Sequence, residues 1–299
     1  MAPQPRRLSR QENLIVEEWA TRLLSGVTYG GLLFILASGF TLGIGIMNIV
    51  NIAHGALYLL TAYIAWSVFE VTDSFILAIL ICCLTGGILA LVLYSGLLKR
   101  LHQRPLAQIL VTMGVTLIIA EFGVIWWGGF PRTVERPGLL AGSVHLGVVS
   151  FPTYRLFMLA AAIVVAVLLW ILLERTRVGA LVRASVDDEE MARGMGVNVG
   201  RLYFFVFGIT GILAGLAGAL GAPFLGAFQG AQFEVLLLAL LVSVVGGLGS
   251  ITGAFVAALL IGIIDSVGKS MFPELAHFTL FAPLIIVLAF RPTGLFKKA

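Results

Sequence analysis

Residues 23–69, 74–98, 156–173, 202–233 and 235–264 contain no Asp, Glu, Lys or Arg. A helix rises ~1.5 Å per residue and crosses a ~30 Å hydrocarbon core in about 20 residues, so each run can bury itself in lipid and the longest hold more than one helix. A composition of 60% hydrophobic and 11% charged residues leaves too little polar side chain to cover a soluble domain. The apolar blocks are continuous and rich in Leu, Ala and Gly, without the alternation over roughly ten residues that marks a transmembrane barrel. The fold class is therefore all-α, a polytopic transmembrane helical bundle of about eight or nine spans. These are expected near residues 24–46, 52–69, 75–98, 106–127, 153–173, 202–222, 233–248, 251–268 and 275–290. Residues 1–23 read as an N-terminal amphipathic segment, with Ile15, Trp19 and Leu23 four apart and Glu17, Glu18 and Arg22 opposite, leading into a transmembrane domain over 24–299. Charges run through residues 1–22 without a short apolar core and a small-residue cleavage site, so no cleaved signal is expected.

The net charge of +4 does not point to nucleic acid, because the basic residues sit in the connections between spans. Lys99, Arg100 and Arg104, then Arg175, Arg177, Arg183, Arg193 and Arg201, then Arg291, Lys297 and Lys298 place two connections and the end of the last span on the cytoplasmic side. The Pro- and Gly-rich stretch 128–155 falls on the opposite side. Arg6, Arg7, Arg10 and Arg22 ask for the cytoplasm, whereas two full crossings in residues 24–69 put them outside. Either the N-terminus is external, or one of the first two helices is broken or re-entrant near 48–55.

That polar link carries the first functional signal. Asn48, Asn51 and His54 interrupt a charge-free apolar run, and such groups line a polar path or satisfy one another and a broken helix. Discontinuous helices near the midplane are a common way for transporters to build sites. Glu121, the acid inside its span, is a further path candidate, although about 22 Å along the helix it is nearer the outer interface than the centre. Residues 183–197 are the best-defined soluble element. Ser185 is placed to cap a short helix with Asp188 three positions on, and Asp187, Asp188, Glu189 and Glu190 fall in its positive first turn. Met191 and Met195 share one face, and Gly194 and Gly196 offer a stop; such a helix suits docking to a cytoplasmic partner, or is a solvated surface helix. Gly246, Gly247, Gly249 and Ser250 mark a tight turn between spans.

Other chemistries are disfavoured. Gly262 to Ser270 imitates a phosphate-binding loop but has five residues between its glycines instead of four. The four histidines make no metalloprotease pattern, no serine nucleophile turn exists, and the adjacent Cys82 and Cys83 read as packing residues. No catalytic residue, metal ligand or cofactor is assigned.

Asn51-Ile-Ala-His-Gly55 after Gly39 to Met47, the Arg183 to Val197 segment, Gly246-Gly-Leu-Gly-Ser-Ile-Thr-Gly-Ala254 and Arg291-Pro-Thr-Gly-Leu-Phe296 together carry a family likeness. In their order and spacing the chain resembles the LivH-like permeases of branched-chain amino acid ABC transporters, over nearly all of its length after residue 24. The resemblance implies a multi-pass permease in the cell (inner) membrane, paired with a related second permease subunit. It also implies two cytoplasmic ABC ATPase subunits and an extracytoplasmic solute-binding protein. The solute would be a branched-chain or other amino acid, urea or a short amide, or an aromatic acid. On the shared Asn-x-Ala-His-Gly pattern, Asn48, Asn51, His54 and Tyr58 are expected beside the path, and residues 185–196 are expected to couple it to the ATPases. The competing readings are a stand-alone secondary transporter, for which Glu121 is the sole candidate proton carrier, and a non-transporting scaffold.

Overall fold

The structure, a computed structural model, describes residues 10–146, 149–291 and 294–296. Arg6, Arg7, Lys297 and Lys298, which served above as sidedness signals, lie outside the described residues. The described chain is a helical bundle in the order α1 (Arg10–Met47), α2 (Ala53–Thr72), α3 (Phe75–Gly96), α4 (Pro105–Trp127), α5 (Thr153–Trp170), α6 (Arg177–Asp187), α7 (Glu189–Gly194), α8 (Val199–Gly221), α9 (Ala231–Gly246), α10 (Ile251–Met271) and α11 (Ala276–Phe290). Among the described residues seven helices are long and apolar enough to cross a membrane, and α9 and the Phe278–Phe290 part of α11 are shorter apolar helices. The amphipathic segment is not a separate element, because α1 runs unbroken from Arg10 into the first span.

Lipid tails are as apolar as Leu, so helices in a bilayer associate through close packing and polar contacts rather than a hydrophobic drive. Glycines supply that closeness here. A Cβ on Gly26 would come within 2.6 Å of Ile263 Cα, and one on Gly30 within 2.7 Å of the Ala258 carbonyl oxygen, so α1 lies antiparallel on α10 with its backbone almost touching. In the same way α3 lies antiparallel on α8, where a Cβ on Gly215 would come within 2.1 Å of the Cys82 carbonyl oxygen. Leu32 to Ala37 of α1 are wholly buried, which makes α1 the central helix. Ile118 and Ile125 of α4 and Ile285 and Phe290 of α11 are exposed, forming faces suited to lipid.

The 3-10 turn Leu98–Leu101, α7 and the start of α8 share one end of the bundle, since His102 Nε2 lies 3.1 Å from Glu189 Oε2. At the other end, Ser266 Oγ donates to the Arg22 carbonyl at 2.8 Å and Arg155 Nη1 donates to Ser25 Oγ at 2.8 Å. The positive-inside rule assigns the Lys99 end to the cytoplasm, so the Arg22–Ser25 part of α1 lies at the opposite end. The stretch read as a plain Pro- and Gly-rich connection contains an antiparallel hairpin, Ser143–Leu146 with Val149–Pro152. A two-residue bridge, Arg132 with Ala227, ties this loop region to the one after α8.

Candidate functional site

The break between α1 and α2 begins at Asn48, which adopts the left-handed conformation (φ 50°) that Asn tolerates better than most residues. Its N–H closes the end of α1 on the Ile44 carbonyl at 3.0 Å, a left-handed cap that the Ile49 N–H extends by donating to the Gly43 carbonyl at 3.3 Å. Beyond these two residues the Val50 and Ile52 N–H groups have no helical partner, a cost of several kcal/mol per group in a lipid-like interior if left unmet. Helix α4 meets that cost. The Val50 N–H donates to Gln108 Oε1 at 3.2 Å and the Ile52 N–H to Thr112 Oγ1 at 3.1 Å, both acceptor residues being buried. Gln108 is held by its own Nε2 donating to the Leu101 carbonyl at 3.0 Å. The break is therefore a built feature, propped from a neighbouring helix.

Helix α2 starts part-way along the bundle, not at its surface. His54 is buried in its first turn, and its Nε2 lies 3.0 Å from the Leu36 carbonyl in the middle of α1, which requires the tautomer with Nε2 protonated. A Cβ on Gly39 would come within 2.8 Å of His54 Cε1, so that glycine makes room for the ring. The four polar residues expected here belong to one discontinuity but do not converge on one point. Asn48 is exposed, His54 is committed to α1, and Asn51 and Tyr58 are buried. Among the described residues, Asn51 Oδ1 and Tyr58 OH are buried polar atoms without a hydrogen-bond partner. Glu121 sits elsewhere, on the outward side of α4 with exposed Ile118, Phe122 and Ile125, while the buried side of α4 carries Gln108, Thr112 and Thr116.

The 183–197 segment folds differently from the expected capping pattern. Ser185 does not start the short helix; it lies buried in the last turn of α6, and its Oγ has no hydrogen-bond partner. The helix restarts three residues later because Asp188 is extended (φ −154°, ψ 101°), and its Oδ1 accepts from the Met191 N–H at 2.8 Å. Asp187 consequently ends α6 rather than standing in the first turn of α7, where Glu189 and Glu190 remain. Glu189 faces inward. Its carboxylate accepts from Arg193 Nη2 at 2.6 Å and Tyr203 OH at 3.2 Å, and lies 3.1 Å from His102 Nε2, which fastens α7 to α8 and to the α3–α4 connection. Burial pushes this carboxyl up, but the hydrogen bonds from Arg193 and His102 outweigh it and hold it below the usual glutamate range. Asp187, Asp188 and Glu190 are exposed, as are Met191 (62%) and Met195 (78%), and Gly196 (φ 85°) turns the chain toward α8.

The glycine turn is also load-sharing with the first helix. Gly247 (φ 96°) and Gly249 (φ 89°) take conformations that favour glycine, a Cβ on Gly45 would come within 1.9 Å of Gly249 Cα, and Ser250 Oγ caps α10 by accepting from the Gly253 N–H at 3.0 Å. One ionic site escaped the sequence reading. Asp265, inside the false phosphate loop, is buried and bonded to Lys269 Nζ at 2.7 Å one helical turn on, with Thr279 Oγ1 of α11 at 3.4 Å. An acid and a base four apart in an apolar helix was the available signal.

The family model described as the permease component of a branched-chain amino acid transport system matches residues 22–288. The chain is 26% identical to the high-affinity branched-chain amino acid transport system permease protein BraD of Pseudomonas aeruginosa, covering 95% of this chain and 97% of that one. It is 26% identical to the corresponding permease protein LivH of Escherichia coli (strain K12), covering 93% and 95%, and 25% identical to the ribose import permease protein RbsC of the same strain, covering 85% and 79%. No solved structure matches.

Proposed function

The chain belongs to the family of permease components of branched-chain amino acid transport systems, and from that premise we propose that it is the membrane subunit of an ABC importer for a small polar solute. It sits in the cell (inner) membrane beside a related second permease. An extracytoplasmic solute-binding protein delivers the solute, and two cytoplasmic ABC ATPases supply the energy. The observation that carries this reading is the propped break at Asn48–Ile52. Irregular backbone at membrane depth is tolerated where protein buries it or where it borders a cavity, and a break of this kind with Asn51 and Tyr58 holding unspent polar atoms supports a solute path along α1, α2 and α4. The exposed acids and methionines around α7 support an ATPase contact, and the Glu189 cluster gives that contact a route into α8 and the α3–α4 connection. Branched-chain amino acids are the favoured cargo because the BraD and LivH relatives are named for them; ribose is the comparison to run because of RbsC.

A transporter working alone would need an ionisable group cycling beside the path, and Glu121 stands on the outward side of α4 instead. The test is uptake of radiolabelled leucine and ribose by vesicles carrying the complete assembly with its binding protein. Leucine uptake is expected to require ATP and to stop when the ATPases are replaced by hydrolysis-deficient variants. Uptake by this chain alone, driven by a proton or sodium gradient, would sink the proposal.

A further inference from the structure

Where α3 ends and α8 begins, at the basic end of the bundle, a cavity of about 420 Å³ is lined by Tyr94, Ser95, Lys99, Gly200, Arg201 and Phe204, with Asn198 at its edge. Its wall carries two cations and no carboxylate. Lys99 and Arg201 are both exposed, and among the described residues neither side chain takes part in an ion pair or hydrogen bond. Two like charges in one cavity raise each other's energy until an anion is shared between them. Glu189, the acid close enough to act on Tyr94, is already engaged by Arg193, His102 and Tyr203.

The surroundings say what kind of anion fits. Membrane-ward of the cations, Val92, Leu97, Phe204 and Phe205 are exposed apolar side chains. Arg201 also borders a second cavity of about 410 Å³, with Val178, Leu181, Leu202 and Phe205 among its walls. Cations bordered by exposed apolar side chains match the anionic head and apolar tail of an amphiphile. Basic pockets between spans on the cytoplasmic side are suited to phosphate headgroups, and each Lys or Arg at an anionic surface contributes about 1 kcal/mol, a factor of about five in binding. We propose that Lys99 and Arg201 hold the phosphate of an anionic phospholipid of the cytoplasmic leaflet, with its acyl chains against Phe204 and Phe205. This site stands apart from the solute path and does not depend on the transport reading.

The test is native mass spectrometry of the detergent-purified protein, together with whatever subunits it is isolated with, titrated with phosphatidylglycerol and with phosphatidylcholine as the zwitterionic reference. The natural protein is expected to retain phosphatidylglycerol preferentially. Lys99→Ala and Arg201→Ala should each weaken that retention about fivefold, the double variant should fall to the phosphatidylcholine level, and Lys99→Arg should keep the preference. Removing the neighbouring cations outside the cavity, Arg100→Ala with Arg104→Ala, should have the smaller effect. Unchanged retention in the double variant, or an equal loss from the Arg100 and Arg104 pair, would overturn the site. Displacement of the lipid by millimolar orthophosphate would make it a site for a soluble anion instead. If the double variant sheds a protein subunit while keeping its lipid, the cavity is a protein contact and the lipid assignment fails.

Discussion

Tyr58 is wholly buried in α2 with its hydroxyl pressed toward Gly221, where an added Cβ would come within 2.4 Å, and no partner accepts or donates there. An unmet buried hydroxyl costs about 1–3 kcal/mol, so a chain selected for stability alone would carry Phe. Tyr58→Phe is therefore expected to leave the thermal midpoint in detergent unchanged or higher, while lowering leucine uptake at least threefold. A lower midpoint with full uptake would return Tyr58 to a purely structural role. Asn48, Asn51 and His54 were legible from sequence because each is a polar group in an apolar run, and lipid makes such groups conspicuous. Gln108 and Thr112 were not, although they too are polar in an apolar helix. Their duty is to the backbone of Val50 and Ile52, and nothing in the sequence says which distant N–H groups an amide and a hydroxyl four apart will meet.

At the level of the element, the capping signal in residues 185–190 was readable as a class and misassigned by three positions, because Ser185 and Asp188 are both good N-caps and only the extended backbone at Asp188 decides between them. Glu189 read as part of an acidic flank, but tertiary contacts turned it into the anchor of α7. The sign of its pH dependence follows from its depressed carboxyl. The tether contributes fully above the ordinary glutamate value of about 4.3 and is lost as pH falls through the lower folded value. Hydrogen exchange over residues 188–199, measured relative to the intrinsic amide rate at each pH, is accordingly expected to quicken on acidification below about pH 4.3 in the natural protein. In Glu189→Gln it should be several-fold faster already at neutral pH, and equal protection in the two proteins at pH 7 would remove the anchor.

For the molecule as a whole, the helical bundle was legible because long runs without charge are imposed by the bilayer itself. The hairpin after α4 was not, since its two strands of four residues are too short for alternation to stand out among the surrounding turn formers. Met191 and Met195 are both exposed, which sets the expectation for assembly. Replacing both by Asp should abolish co-purification of the ATPases while membrane insertion and the amount of protein remain unchanged; retention of the ATPases would count against α7 as their seat. The length of α1 has a geometric consequence. At ~1.5 Å per residue its 38 residues make a rod of about 57 Å, nearly twice the thickness of the hydrocarbon layer. Gly26 and Gly30 bear on α10 near the middle of that rod, so the arm N-terminal to them reaches past the hydrocarbon layer and carries the central helix of the bundle into the water on the side away from Lys99.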